Sequence, residues 1–398
     1  MGNSANTLII LGVLLFLGLA TDAIGRRTRL PRVTLLLIFG FLIGPAGLGF
    51  LSPKGEEWSA IVAQMALVMV GFLLGGKFTL SALREHGKLV FWFSVSEVAG
   101  AALVVLIGLL LAGMSVEIAL LLAGIAPATA PAATTDVVRE AKADGAFTRT
   151  LLGIVAVDDA WGLIVFSVML AAAQAISGQG AGTAPLLVGA WELGGSVLLG
   201  VGLGIPIAYL SGRLQAGEPT LVEALGAVFV CGGLAIWLDV SYLLASMVLG
   251  VVVTNLARHH TRSFHAIEGI EWPFMILFFV LAGASLEIAA LHQIAIVGLV
   301  YIALRAIGLW LGAWTGGAIS HADPLLRRWM GIALMPQAGV ALGMALVATQ
   351  RHPELGETIL AIVVASTVVC EVIGPLLTRT ALVRAGDVGL YREREEGA

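Results

Sequence analysis

Apolar windows of about 20 residues recur along nearly the whole of this chain, and few folds can accommodate such a pattern. Thirteen can be read, at 7–24, 31–49, 57–79, 86–112, 115–139, 147–174, 187–212, 220–236, 239–257, 264–283, 289–317, 326–348 and 357–380. In hydrocarbon every backbone amide and carbonyl needs a partner within the protein, so these windows predict spanning α-helices. They are called spans 1–13 below. Only 12% of the 398 residues are charged and 59% are hydrophobic. A soluble domain carries about 25% charged residues, so no sizeable water-facing domain is expected.

Positive charge tests the count. With thirteen spans, the odd-numbered loops and the C-terminus share one side, which receives 19 of the 22 Lys and Arg residues. The other side has Lys54 and Arg351 alone, and Arg305 falls inside span 11. Such a bias predicts an N-terminus outside and a C-terminus in the cytoplasm. Met1–Thr7 carries no Lys or Arg, so no cleaved signal is expected. Cys231 and Cys370 lie in apolar segments and read as small core residues, with no disulfide or metal site implied.

The chain also repeats itself seven spans apart. LLLIFGFLIGP in span 2 matches LLASMVLGVVVTN in span 9, GFLLGGKFTL in span 3 matches FFVLAGASLEI in span 10, and GIAPATAPAATT in span 5 matches ALMPQAGVALG in span 12. An odd offset reverses direction across the membrane. Two six-span units joined by span 7 therefore predict an inverted-topology repeat.

Within span 6 the stretch Leu151–Ala173, LLGIVAVDDAWGLIVFSVMLAAA, holds two adjacent aspartates, Asp158 and Asp159, and no other charge. A charge at the bilayer centre costs roughly 2.5–3.5 kcal/mol by insertion measurements, so the pair reads as a buried ion or proton site. Spans 5 and 12 are interrupted by Pro127 and Pro131, and by Pro336 with Gln337. Proline removes an amide donor and clashes with the carbonyl four residues back. Ordinary kinks would explain either break alone, but matched breaks in the two halves point to a transport site crossing at mid-membrane. Freed carbonyls near Ala128–Ala130 and the hydroxyls of Thr129, Thr134 and Thr135 are candidate oxygen ligands. No soft-metal cluster accompanies them, so Asp159 reads as the metal ligand for a monovalent cation only.

Arg305 needs a partner, and Asp158 is the natural one, leaving Asp159 to carry cation or proton. A structural salt bridge with no part in transport is the plain alternative. Glu97, Glu223 and Glu371 read as lying nearer span ends. Asp136, Arg139 and Glu140 read as a solvated helix end, and His259, His260 and His265 as a polar loop. The charged tail after Thr380 reads as a solvated terminus.

The segments LPRVTLLLIFGFLIGPAGLGF, APATAPAATTDVVRE, GIVAVDDAWGLIVF, FFVLAGASL and CEVIGPLLTR together resemble the monovalent cation/proton antiporters, in the branch holding bacterial sodium/proton and potassium-efflux antiporters. The resemblance implies a homodimer. A dimerisation domain would comprise 1–85 (spans 1–3) and 213–288 (spans 8–10), and a mobile core 86–176 (spans 4–6) and 289–383 (spans 11–13). Residues 177–212 would hold the linking span 7, and 384–398 a short tail. In that family the position of Asp159 takes the cation or proton, while that of Asp158 pairs with a basic residue at the position of Arg305. Departures are Lys77, where relatives often have an acid, and Arg305, where electrogenic relatives often have lysine.

The expectation is therefore an all-α membrane antiporter of a bacterial-type inner membrane, not an enzyme. It would exchange Na+ for H+, with K+ and Li+ as alternatives. No cofactor, nucleic acid or attached nucleotide-binding domain is implied, and membrane lipid is the expected surround. A potassium/proton antiporter, an ion-coupled symporter and a channel are the transport alternatives. An intramembrane aspartyl protease would need a G-x-G-D sequence, which the chain lacks.

Overall fold

The computed structural model describes residues 2–28, 32–51, 57–76, 79, 87–176, 184–210, 220–257, 260–285, 288–337 and 339–388. Lys77, His259, the loop 177–183, the tail beyond Val388 and the side chains of His260 and His265 lie outside the described residues. Fifteen helices are described: α1 (Gly2–Thr28), α2 (Arg32–Ile43), α3 (Glu57–Gly76), α4 (Gly87–Leu111), α5 (Val116–Ile125), α6 (Pro131–Glu140), α7 (Ala146–Ile176), α8 (Ala184–Leu210), α9 (Thr220–Trp237), α10 (Tyr242–Leu256), α11 (His260–Ala284), α12 (Ile288–Ile319), α13 (Pro324–Ala333), α14 (Gly339–Arg351) and α15 (Pro353–Ala385). The β-structure among the described residues is one isolated antiparallel bridge, Ala143 to Val388. Seven helices are long and apolar enough to cross a membrane, and five shorter apolar stretches accompany them.

The chain divides into two compact units. In the unit formed by Met1–Gly76 and Gly194–His292, α3 packs on α10, α2 on α11, and α9 against α10 and α11. A Cβ added at Gly75 would strike the Met247 carbonyl, and one at Gly250 the Phe72 carbonyl. Lipid supplies no hydrophobic drive between helices, so close backbone approach is how such crossings gain dispersion energy.

The unit formed by Lys77–Leu193 and Gln293–Ala398 holds α4–α7 and α13–α15, with α12 beside α4. A Cβ on Gly312 of α12 would meet the Glu97 Cα, and one on Gly308 the Ala101 Cα. Helix α7 packs on α4, α5 and α6 and touches α13 and α14, while α15 packs on α13 and α14 and touches α5, α6 and α7. Phe93, Phe147, Leu151, Ile154, Met330, Leu334 and Leu382 form one buried apolar cluster in this unit.

Between Thr380 and Val388 the chain is not the solvated end expected from its charge. Helix α15 continues to Ala385 and stops at Gly386, whose φ of 77° is a left-handed cap that glycine adopts without strain. The turn delivers Asp387, which is buried. Its Oδ2 accepts from the Thr148 backbone N–H and the Thr148 hydroxyl, both at 2.8 Å. A residue 239 positions away thus caps the first turn of α7, the helix that carries Asp158 and Asp159. Removing a cap costs about 0.5–2 kcal/mol. Asp387→Ala is expected to lower the melting temperature in detergent by a few degrees, and Asp387→Asn, which keeps an acceptor oxygen, by less. Equal melting of the alanine variant and the native protein would contradict the capping role.

Candidate functional site

Two helix interruptions set the geometry. Helix α5 stops at Ile125, where Pro127 offers no N–H, and α6 resumes with Pro131 in its first position, where the missing donor is tolerated. Helix α13 stops at Ala333 and α14 begins at Gly339, with Pro336 and Gln337 between. A Cβ on Gly374 of α15 would collide with Pro336, so the second break is seated directly on that glycine. Chain ends of this kind leave carbonyls without intrahelical partners.

Those carbonyls converge on Arg305, which is 0% exposed. Its Nε donates to Ala126 O at 2.9 Å and one terminal nitrogen to Ala128 O at 2.8 Å. The other terminal nitrogen donates to Met335 O at 2.9 Å and lies 3.7 Å from the Cys370 Sγ. One guanidinium therefore ties α12 to both breaks and touches α15. A planar fork of five donors suits this task as a lysine ammonium would not.

Asp158 and Asp159 lie in the body of α7, buried at 0% and 2% exposure. Adjacent helical residues diverge by about 100°, so the two carboxylates face different surroundings. Neither Asp158 oxygen has a hydrogen bond of good geometry among the described residues. Thr129, in the first break, is buried at 1% exposure. Glu97, near the middle of α4, is also 0% exposed, and its carboxyl oxygens likewise have no hydrogen-bond partner among the described residues. Thr134 and Gln337 are fully buried, each with a side-chain polar atom left without a partner. Gln337 Oε1 lies 3.4 Å from the Ser366 hydroxyl.

The family described as the transmembrane sodium/hydrogen exchangers matches residues 12–383. The chain belongs to this exchanger family. It is a multi-pass membrane protein of the monovalent cation/proton antiporters, a family of transporters rather than enzymes. The ammonium/H+ antiporter subunit AmhT of Alkalihalophilus pseudofirmus is 25% identical over 314 residues, covering 77% of this chain and 78% of its own. The sodium proton antiporter MjNhaP1 of Methanocaldococcus jannaschii, at pH 8, has the same fold: TM-score 0.76 at 18% identity, over 96% of this chain and 98% of that one. An electron-microscopy structure of the same antiporter superposes with a TM-score of 0.70, also at 18% identity, over 96% of each chain.

Three expectations for this exchanger need correction. The Asp158–Arg305 ion pair is not formed, because the guanidinium spends its donors on carbonyls of the two breaks. Of the carbonyls at Ala128–Ala130 expected to face a cation, that of Ala128 accepts from Arg305 and that of Ala130 from the Thr134 N–H. Glu97 and Glu371 do not lie near helix ends; both are buried well inside α4 and α15. Glu223, in the first turn of α9, does sit at an end, and Asp136, Arg139 and Glu140 are exposed on α6.

Glu97 is the site residue that sequence reasoning passed over. The signal was present, since an acid inside an apolar run of this length raises the same energetic question as Asp158 does. A second polar group gathers at the start of α15, where Arg351 and His352 lie between spans 12 and 13. Arg351 approaches Glu192 at 4.0 Å. Burial pushes the neighbouring His352 imidazole below the usual histidine range, with Glu117 opposing and Arg351 reinforcing the shift.

Proposed function

We propose that this exchanger moves Na+ against H+ by competition for a single buried carboxylate, that of Asp159. The observation that carries the reading is the position of Asp159: 2% exposed, mid-way along an apolar helix that packs against both halves of the first interrupted span and touches both halves of the second. A carboxylate that must hold either a cation or a proton before it can move couples the two flows. An empty charged site pays the full desolvation cost, and that blocks leak. Asp158, Thr129 and Thr134 complete the proposed binding region, with Pro127, Pro131, Pro336 and Gln337 marking the breaks beside it.

The fifteen helices group into thirteen spans if α5 with α6, and α13 with α14, are each one interrupted span. Packing supports an inverted repeat with a seven-span offset. Span 3 packs on span 9 and span 2 on span 10, two contacts that the offset exchanges. The pairing of spans 5 and 6 recurs as that of spans 12 and 13, and span 4 faces span 11. The contact of Asp144 N–H with Asp387 O also fits, since eight spans separate the two residues and an even number returns the chain to its starting side. The charge bias then sets the N-terminus outside and the C-terminus in the cytoplasm of a bacterial-type inner membrane. The unit with the interrupted spans is the proposed moving core. The other, through spans 1–3 and 8–10, is the proposed homodimer scaffold, and the core would move against it as an elevator.

A larger cation, K+ or ammonium, is the second reading, favoured by the likeness to an ammonium/H+ antiporter subunit. Titration of exchange against cation and pH in proteoliposomes decides both points. Competition predicts that the apparent cation affinity falls about tenfold per unit of acidification below the site's own protonation range. A cation affinity that does not change with pH would sink the competitive mechanism, and the cation with the highest affinity names the substrate.

A further inference from the structure

We infer that span 7 bends at Gly194–Gly195, and that the Glu192–Arg351 ion pair clamps the helix before this hinge to the unit carrying the interrupted spans. The inference rests on the reading of that unit as the one that moves.

Helix α8 is shared by the two compact units, for the boundary falls inside it, between Leu193 and Gly194. Beyond the boundary the helix is fixed by close packing within its own unit. A Cβ on Gly200 would strike the Ala245 carbonyl and the Val248 side chain of α10, and one on Gly204 the Val252 side chain. Before the boundary, α8 is fixed in the other unit. The Glu192 carboxylate, with its side chain 3% exposed, lies 4.0 Å from a terminal nitrogen of Arg351. Arg351 is the last residue of α14, where a cation also suits the helix dipole. An anchor in one unit therefore stands two positions before the first residue of the other.

The residues at that point are ones at which a helix bends. Gly194, Gly195 and Ser196 follow one another, and sharp helix bends fall at glycine and serine pairs or at proline. Glycine brings backbone freedom and weakens a helix relative to alanine. Contact with α10 accounts for the missing side chains of Gly200 and Gly204, but a Cβ added at Gly194 would meet nothing within 4 Å. Packing therefore does not call for glycine there, whereas a hinge does, since a few positions must absorb the change in φ and ψ. The boundary also crosses α12, between His292 and Gln293, but in its first two turns and where no glycine lies. Pro206 of α8 falls wholly on one side of the boundary. Glu192 and Arg351 are thus positioning residues: they carry the leading end of α8 with the moving unit and concentrate the bend at the glycines.

Two alanine variants of the full-length protein test the hinge, with proton-driven Na+ uptake in proteoliposomes as the readout. Gly202 of α8 is as open to a Cβ as Gly194 but lies inside one unit, so it serves as the control. Both variants should melt no lower than the native protein. Gly194→Ala should slow exchange by about fivefold, the helix preference of alanine over glycine expressed as a rate. Gly202→Ala should exchange at the native rate. Native exchange in Gly194→Ala, or equal slowing in both variants, overturns the hinge. For the clamp, Glu192→Gln and Arg351→Gln should each slow exchange, and Arg351→Lys, which keeps the charge, should restore it. Native exchange in either glutamine variant, or a lysine variant as slow as Arg351→Gln, overturns the clamp. Backbone hydrogen exchange reports on the hinge without transport. Amides 195–198 should exchange faster than amides 202–205, and Gly194→Ala should remove the difference. If the native protein moves no cation while the amides behave in this way, the proposed function fails and the hinge stands; equal rates in the two segments overturn the hinge.

Discussion

Asp159→Asn is expected to abolish cation/proton exchange while leaving the melting temperature within a few degrees of the native protein. Asparagine keeps the size of the side chain and one acceptor oxygen, so packing in the body of α7 should change little. It can neither bind a proton in the relevant range nor neutralise a cation. A Na+ ion entering the variant site would carry an unbalanced charge into a region shielded from water, at a cost of roughly 3 kcal/mol or more. That alone slows exchange by over about a hundredfold. Proton-driven cation uptake in proteoliposomes measures it. Exchange within tenfold of native by the asparagine variant, over any pH range, would remove Asp159 from the role assigned here. Uptake in the variant driven by voltage alone would show that the residue gates the pathway without coupling the two flows.

How much of this could be read from the letters depends on whether the cause is local. The prolines at 127, 131 and 336 act through their own missing N–H groups, and the helices stop within a few residues of each. Asp158 and Asp159 announce themselves because charge in an apolar run has a cost wherever the helix packs. The partners of Arg305 could not be read in the same way. Its three carbonyls come from two loops about 180 and 30 positions away, and nothing in a sequence says which backbone oxygens a break leaves unpaired. Charge matching suggested a carboxylate, but the nearest unsatisfied acceptors were main-chain ones. Asp387 shows the opposite error. A charged tail suggested solvent, whereas the helix start at Ala146 needed an acceptor and Asp387 was within reach.

Arg305→Met should be the most damaging single substitution to the fold of this exchanger. Methionine fills similar space and is a good helix former, so α12 itself should survive. The loss falls on the breaks, where Ala126 O, Ala128 O and Met335 O would all be buried without donors. Each orphaned group costs about 1–3 kcal/mol, and together they rival the whole stability of many domains, roughly 5–15 kcal/mol. Replacing a buried ion pair with apolar side chains can be neutral when both partners go. Here the acceptors are backbone and cannot be removed, so the usual rescue is closed. Arg305→Lys separates charge from geometry. An ammonium keeps the buried positive charge, but a single nitrogen cannot reproduce three bonds made by three nitrogens of a planar fork. Melting temperatures should therefore fall in the order native, lysine, methionine, and transport by the lysine variant should outlast that of the methionine variant. A lysine variant as stable as the native protein would mean that charge alone holds the two breaks together. A methionine variant of native stability would mean that the breaks do not need Arg305 at all.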